Sequence, residues 1–153
     1  MRKKTIIGII RRAKLTDIDA ILKIEETQSS NPWKKTHFVD EISNNLSYFL
    51  VLEEYIKKEI IGFIIFWIIE DVSELHNIAI SESYKRNGHA ISLINYMFEF
   101  VKKKTKEIFL EVRTSNLSAI NLYKKLKFKE ITVRQNYYKN PIEDALVFKK
   151  NIC

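Results

Sequence analysis

The stretch IIGFIIFWII, Ile60 to Ile69, constrains the fold more than any other part of the chain. Ten apolar residues are half of a membrane span, and Glu70 ends the run. Isoleucine and aromatics dominate it, so it reads as a buried strand. SYFLVLEEY precedes it, and the short charged turn at Lys57 and Lys58 makes the two a hairpin.

Other segments extend the pattern. TIIGIIR (Thr5 to Arg11), DVSELHNIAI (Asp71 to Ile80), EIFLEVR, KEITVRQNYY and EDALVFKK all read as strands, the last two as a hairpin around Pro141. TDIDAILKIEE reads as a helix capped by Thr16, with Ile18, Ile21 and Leu22 on one face. KKTHFVDEIS is a short second helix with Thr36 as its cap and His37 on its surface. From Gly88, the spacing of Ile91, Ile94, Met97, Phe98 and Val101 predicts a long helix ending near KKKTK, a solvated end. SNLSAINLYKKLKF predicts another, capped by Ser115 or Asn116. Trp67 and the phenylalanines of YMFEFV are expected in the core. The order β-α-α-β-β-β-α-β-α-β-β holds two βαβ crossings and several hairpins. An α/β fold follows, a mixed sheet with helices on both faces.

At 153 residues the chain suits a single domain, 1–153. Only five residues are Pro or Gly and 46% are apolar, which excludes a disordered segment. The net charge of +7 is compatible with nucleic acid, ribosomes, anionic lipid or a polyphosphate ligand. Cys153 is the only cysteine, so a disulfide framework is excluded and a reducing cytoplasm fits. The start, MRKKTIIGIIRRAK, imitates a signal peptide, but Arg11 and Arg12 close its apolar run after six residues. No His/Cys/carboxylate cluster has zinc spacing, so no metal is expected.

Two stretches carry chemistry. In SESYKRNGHAISLI a strand, a basic loop and one glycine lead into a helix N-terminus. The first amides of a helix have no internal acceptors, and glycine lets an anion approach the backbone. Lys85 and Arg86 add charge, but a lone glycine is weak evidence, and a plain basic loop fits as well. In LEVRTSNLSAINLYKKLKF, strand alternation puts Glu111 and Arg113 on the face opposite Leu110 and Val112. Asn116 opens the next helix, and Tyr123 lies two turns into it. A carboxylate and a phenol beside an anion-binding helix suggest a base, an acid and an anchored nucleotide-bearing molecule; a surface glutamate and a core tyrosine are the plain alternative.

Together these stretches resemble the GNAT acetyltransferase family, with Lys85-Arg86-Asn87-Gly88-His89-Ala90 in the place of its [Q/R]-x-x-G-x-[G/A] loop. With NPWKKTHF and RQNYYKNPIEDALVF, the chain is similar to the RimI type, the bacterial ribosomal-protein alanine N-acetyltransferases. The resemblance implies a seven-stranded sheet whose fourth and fifth strands splay to admit acetyl-CoA. It implies that Ile78, Ala79 and Ile80 pair with the pantetheine arm. Arg86, Asn87, Gly88, His89, Ala90 and Ile91 cradle the pyrophosphate, and Asn116 reaches the cofactor. It gives Glu111 the role of proton acceptor, Tyr123 that of proton donor, and Pro32, Trp33, Tyr137 and Tyr138 the walls that grip a peptide. The expected partners are acetyl-CoA and a protein N-terminus, with no membrane and no required nucleic acid, in a monomer or weak dimer.

The chemistry favours an α-amine acceptor. An α-amino group near pKa 7.7–8.0 is about one-tenth neutral at pH 7, against roughly four in ten thousand for a lysine near 10.4. Lysine side chains or small amines remain a rival acceptor class, and a non-catalytic ribosome- or RNA-binding module a rival of another kind. Glu74 and His76 share a strand face and could assist or replace Glu111; His89 reads as solvent-facing. Lys127 stands where the family commonly has glycine, at a left-handed helix end that costs about 1 kcal/mol.

Overall fold

The buried run forms the third strand of a single sheet. The structure, a computed structural model, describes residues 7–152. Seven strands are β1 (Gly8–Arg12), β2 (Ser47–Glu54), β3 (Ile60–Ile69), β4 (Val72–Ile80), β5 (Glu107–Arg113), β6 (Lys129–Tyr138) and β7 (Glu143–Asn151). Four helices are α1 (Ile18–Gln28), α2 (Lys35–Ser43), α3 (His89–Val101) and α4 (Leu117–Lys125). Thr5 and Ile6 of the expected first strand, like Cys153, lie outside the described residues.

Both faces of β3 are covered, as its composition requires. Phe63 and Ile65 pack with Ile18, Ile21 and Ile24 of α1 and Phe38 of α2. Ile64 and Phe66 pack on the other side with Leu93, Ile94, Met97 and Val101 of α3. Burying each such side chain stabilises the fold by about 1.5–3 kcal/mol. Trp67 is half-buried and packs at the edge of the α1–α2 core, where its indole donates to Glu41 Oε2 at 2.9 Å and its ring lies against His76.

The sheet order is β1-β2-β3-β4-β5-β7-β6. Among the described residues, only β4 and β5 pair in parallel. The crossing through α4 does not join neighbours, because β7 enters between β5 and β6, antiparallel to both. Sequence order alone does not reveal such an insertion.

Two caps differ from expectation. Thr16 falls within a single 3-10 turn, Leu15–Asp17, and the carboxylate at the start of α1 belongs to Asp17, which accepts from the Lys14 amide and Arg11. Thr36 lies inside α2, and His37 Nδ1 reaches back to accept the Lys34 amide at 3.0 Å. At α4 the cap is Asn116, whose Oδ1 accepts from the Ala119 amide.

Parting of β4 and β5 positions the site. β4 pairs with β3 along its whole length, but with β5 only over Val72–Leu75 against Glu107–Leu110. The divergence starts at a bulge: Ile65 faces Asn77 and Phe66 faces Leu75, leaving His76 unmatched. Beyond it the β5-side edge of β4, through Ile80, has no strand against it.

Candidate active site

A cleft of about 1090 Å³ occupies the gap between the two strands. Ile78, Ala79 and Ile80 line one side and Glu111 the other. Because the edge of β4 turned toward β5 is unpaired there, a chain-like ligand can pair with it as a strand would.

At the open end Gly88 adopts φ 80, a left-handed conformation natural to glycine, and α3 begins at the next residue. The first ladder bond runs from the Ser92 amide to Gly88 O, at 3.0 Å. First-turn amides of such a helix, Ala90 and Ile91 here, have no acceptor within it and carry its partial positive charge. Arg86 is left-handed too, with φ 65. Lys85 is not free charge, since its ammonium lies 3.1 Å from Glu82. Asn87 braces the loop by donating to the Tyr84 and Lys85 carbonyls. His89 is buried, 8% exposed, with its ring beside Tyr84, and is not solvent-facing.

Arg86, Gly88, His89, Ala90, Ile91, Asn116, Tyr123, Pro32, Trp33 and Tyr138 line the same cleft as Ile78–Ile80 and Glu111. Asn87 and Tyr137 do not. Glu111, half-buried, pairs with Arg134 Nε at 3.1 Å from the exposed strand β6. Hydrogen bonding to that carboxylate pushes the Tyr137 phenol up from its ordinary range. Burial pushes Tyr138 up to about 12. Tyr123 packs against Phe128 and Phe148, and burial raises its phenol far above the usual value. His76 Nε2 lies 3.2 Å from Glu74, yet it is not aligned as a hydrogen bond and has no hydrogen-bond partner.

Glu25 is a cleft residue that the sequence reading passed over. It is 3% exposed, and its Oε2 accepts the Trp33 amide at 3.0 Å and Asn77 Nδ2 at 3.1 Å. It thereby fixes the Pro32–Trp33 loop against β4. Burial, outweighing both bonds, raises its carboxyl pKa. A signal existed: Glu25 is four residues from Ile21 and seven from Ile18, on the apolar stripe of α1. Among the described residues no group of three or more His, Cys, Asp or Glu side chains is placed to hold a metal ion.

A mixed sheet opened between two parallel strands, above a glycine-led helix N-terminus, defines a class of folds that admits a long phosphate-bearing ligand edge-on. Residues 18–128 match the Acetyltransferase (GNAT) family. The [ribosomal protein bS18]-alanine N-acetyltransferase of Escherichia coli strain K12 is 32% identical over 141 residues, covering 90% of this chain and 93% of that protein. An N-alpha-acetyltransferase of Sulfurisphaera tokodaii is 35% identical over 150 residues, covering 89% and 88%. The crystal structure of the E. coli ribosomal-protein-S18-alanine N-acetyltransferase superposes with a TM-score of 0.84 at 30% identity, covering 95% of this chain and 94% of that one. This chain belongs to the GNAT acetyltransferase family. Its acetyl donor is acetyl-CoA.

Proposed function

We propose that this protein acetylates the N-terminal α-amine of a protein, the N-terminal alanine of a small-subunit ribosomal protein, in the cytoplasm. One observation carries the reading: Glu111 and Tyr123 line one cleft with the open edge of β4 and the N-terminus of α3. Relatives named as N-terminal acetyltransferases, bacterial and archaeal, support the acceptor class.

Acetyl-CoA supplies a thioester carbonyl, a pantetheine arm and a pyrophosphate. The β4 edge at Ile78–Ile80 pairs with the arm, and the amides from Gly88 to Ile91 hold the phosphates. Asn116 caps α4 beside them. Glu111 accepts the proton that the amine loses as its bond to carbon forms. Arg134, paired with that carboxylate at 3.1 Å, holds it in place beside the cleft. Tyr123 donates its hydroxyl hydrogen toward the departing sulfur. A free thiol titrates near 8.5, so a phenol held above 10 is the weaker acid. Full transfer stays uphill even to a completed thiolate, so Tyr123 acts as a hydrogen-bond donor that stays protonated while negative charge builds on sulfur. Trp33 and Pro32 form one wall for the acceptor and Tyr138 the other, with Tyr137 behind it on the same hairpin.

The test is turnover of an alanine-starting peptide by wild type, Glu111→Gln and Tyr123→Phe. Glu111→Gln should lower kcat by about 10²–10⁴-fold. Tyr123→Phe should slow turnover with acetyl-CoA affinity nearly unchanged. Full activity in Glu111→Gln removes its base role, and no transfer by wild type removes the function.

A further inference from the structure

We propose that Arg113 is a positioning residue that sets the acceptor wall, through Tyr138, against the end of the cleft where the donor binds; this rests on the reading of the cleft as an N-terminal acetylation site. Arg113 ends β5 two residues beyond Glu111, on the same face of the strand. Its guanidinium lies over the Tyr138 ring, 4.3 Å from the centroid. Nη2 donates to the Lys139 carbonyl at 3.1 Å, and Nη1 to the Pro141 carbonyl at 3.1 Å and to Glu143 at 3.2 Å. One side chain thus holds the whole tip of the β6–β7 hairpin.

The partner carboxylate extends the clamp. Glu143 Oε2 accepts from the Ser115 amide at 2.6 Å and from Thr114 Oγ1 at 3.1 Å. These residues form the turn that places Asn116 as the cap of α4, the helix that carries Tyr123. Arg113 and Glu143 are each only 16% exposed. Glu143 holds that turn by its own Oε2 bonds, while its Oε1 pairing with Arg113 ties the hairpin bearing Tyr138 to it. A planar fork that stacks on a ring while feeding two carbonyls and a carboxylate is work that lysine cannot reproduce. Arg113 lines the cleft, but its hydrogen bonds and ion pair go to Lys139, Pro141 and Glu143 and its stacking to Tyr138, so its effect on the reaction runs through Tyr138 and the hairpin.

Steady-state kinetics of the full chain with an alanine-starting peptide tests this, alongside acetyl-CoA affinity by calorimetry. Arg113→Lys should raise peptide KM by about tenfold, with kcat within about twofold and acetyl-CoA affinity unchanged. In a Tyr138→Leu background the same substitution should add little, because both remove one arrangement. Glu143→Gln, which keeps an oxygen for Ser115, should shift peptide KM in the same direction by less, and serves if Arg113→Lys does not fold. Unchanged KM, a loss of thermal stability alone, equal losses in peptide and acetyl-CoA binding, or full additivity with Tyr138→Leu would each overturn the proposal. Absence of peptide turnover in the wild type would instead remove the acetylation reading itself.

Discussion

Lys127 holds φ 70 at the end of α4, where the Phe128 amide closes back on Tyr123 O at 3.0 Å. A side chain in that conformation costs about 1 kcal/mol relative to glycine. Lys127→Gly should therefore raise the denaturant midpoint by the equivalent of about 1 kcal/mol with the slope unchanged. Glu25 makes a second prediction. Its folded pKa is raised, so its charge costs stability at neutral pH, and the cost is relieved as pH falls through the folded pKa. Glu25→Gln keeps an acceptor for Trp33 and Asn77 while removing the charge, so its melting temperature at pH 7 should equal or exceed that of wild type. A clear fall would mean that the ionised form is what holds the Pro32–Trp33 loop. The places of Glu111 on a strand and of Gly88 at a helix start were legible because strand period and helix-start chemistry are local. Those of Glu25 and His89 were not, because burial of a polar residue depends on what packs over it from distant elements.

Among the elements, β4 and the β6–β7 hairpin shape the cleft. Where β4 leaves β5, backbone pairing is exchanged for an open edge, and the bulge at His76 marks the exchange. Replacing Gly88 with valine puts a β-branched residue at φ 80, and should weaken acetyl-CoA binding more than it lowers kcat at saturation; calorimetry separates the two. At the hairpin, hydrogen bonds from Ser115, Arg113 and Thr114 depress Glu143 to about 2. Its contribution is thus present above the unfolded value near 4.3 and is lost as pH falls toward 2. Glu143→Gln should flatten that part of the acid-unfolding curve and leave neutral-pH stability the more reduced. Strand types came through from the sequence because alternation reports burial directly. The place of β7 between β5 and β6 did not, since pairing across long connections leaves no periodic trace.

Over the whole molecule, the two-sided burial of β3 dictates a sheet with helices on both faces, and the opening between β4 and β5 gives that sheet a function. Among the described residues no helix is long and apolar enough to cross a membrane. The chain carries +7, yet in the loop before α3 Lys85 is paired with Glu82, so in the proposed reading the helix-start amides, the left-handed turn at Gly88 and Arg86 would hold the phosphates. The acceptor class then rests on proton chemistry, since an α-amine reaches its neutral form far more readily than a lysine. The direct measurement is acetyl transfer to a peptide that starts with alanine and carries an internal lysine, with the modified atom located by mass spectrometry and spermidine run in parallel. A single acetyl group on the α-amine, with lysine and spermidine untouched, is the predicted result. Acetylation confined to the lysine or to spermidine would contradict it.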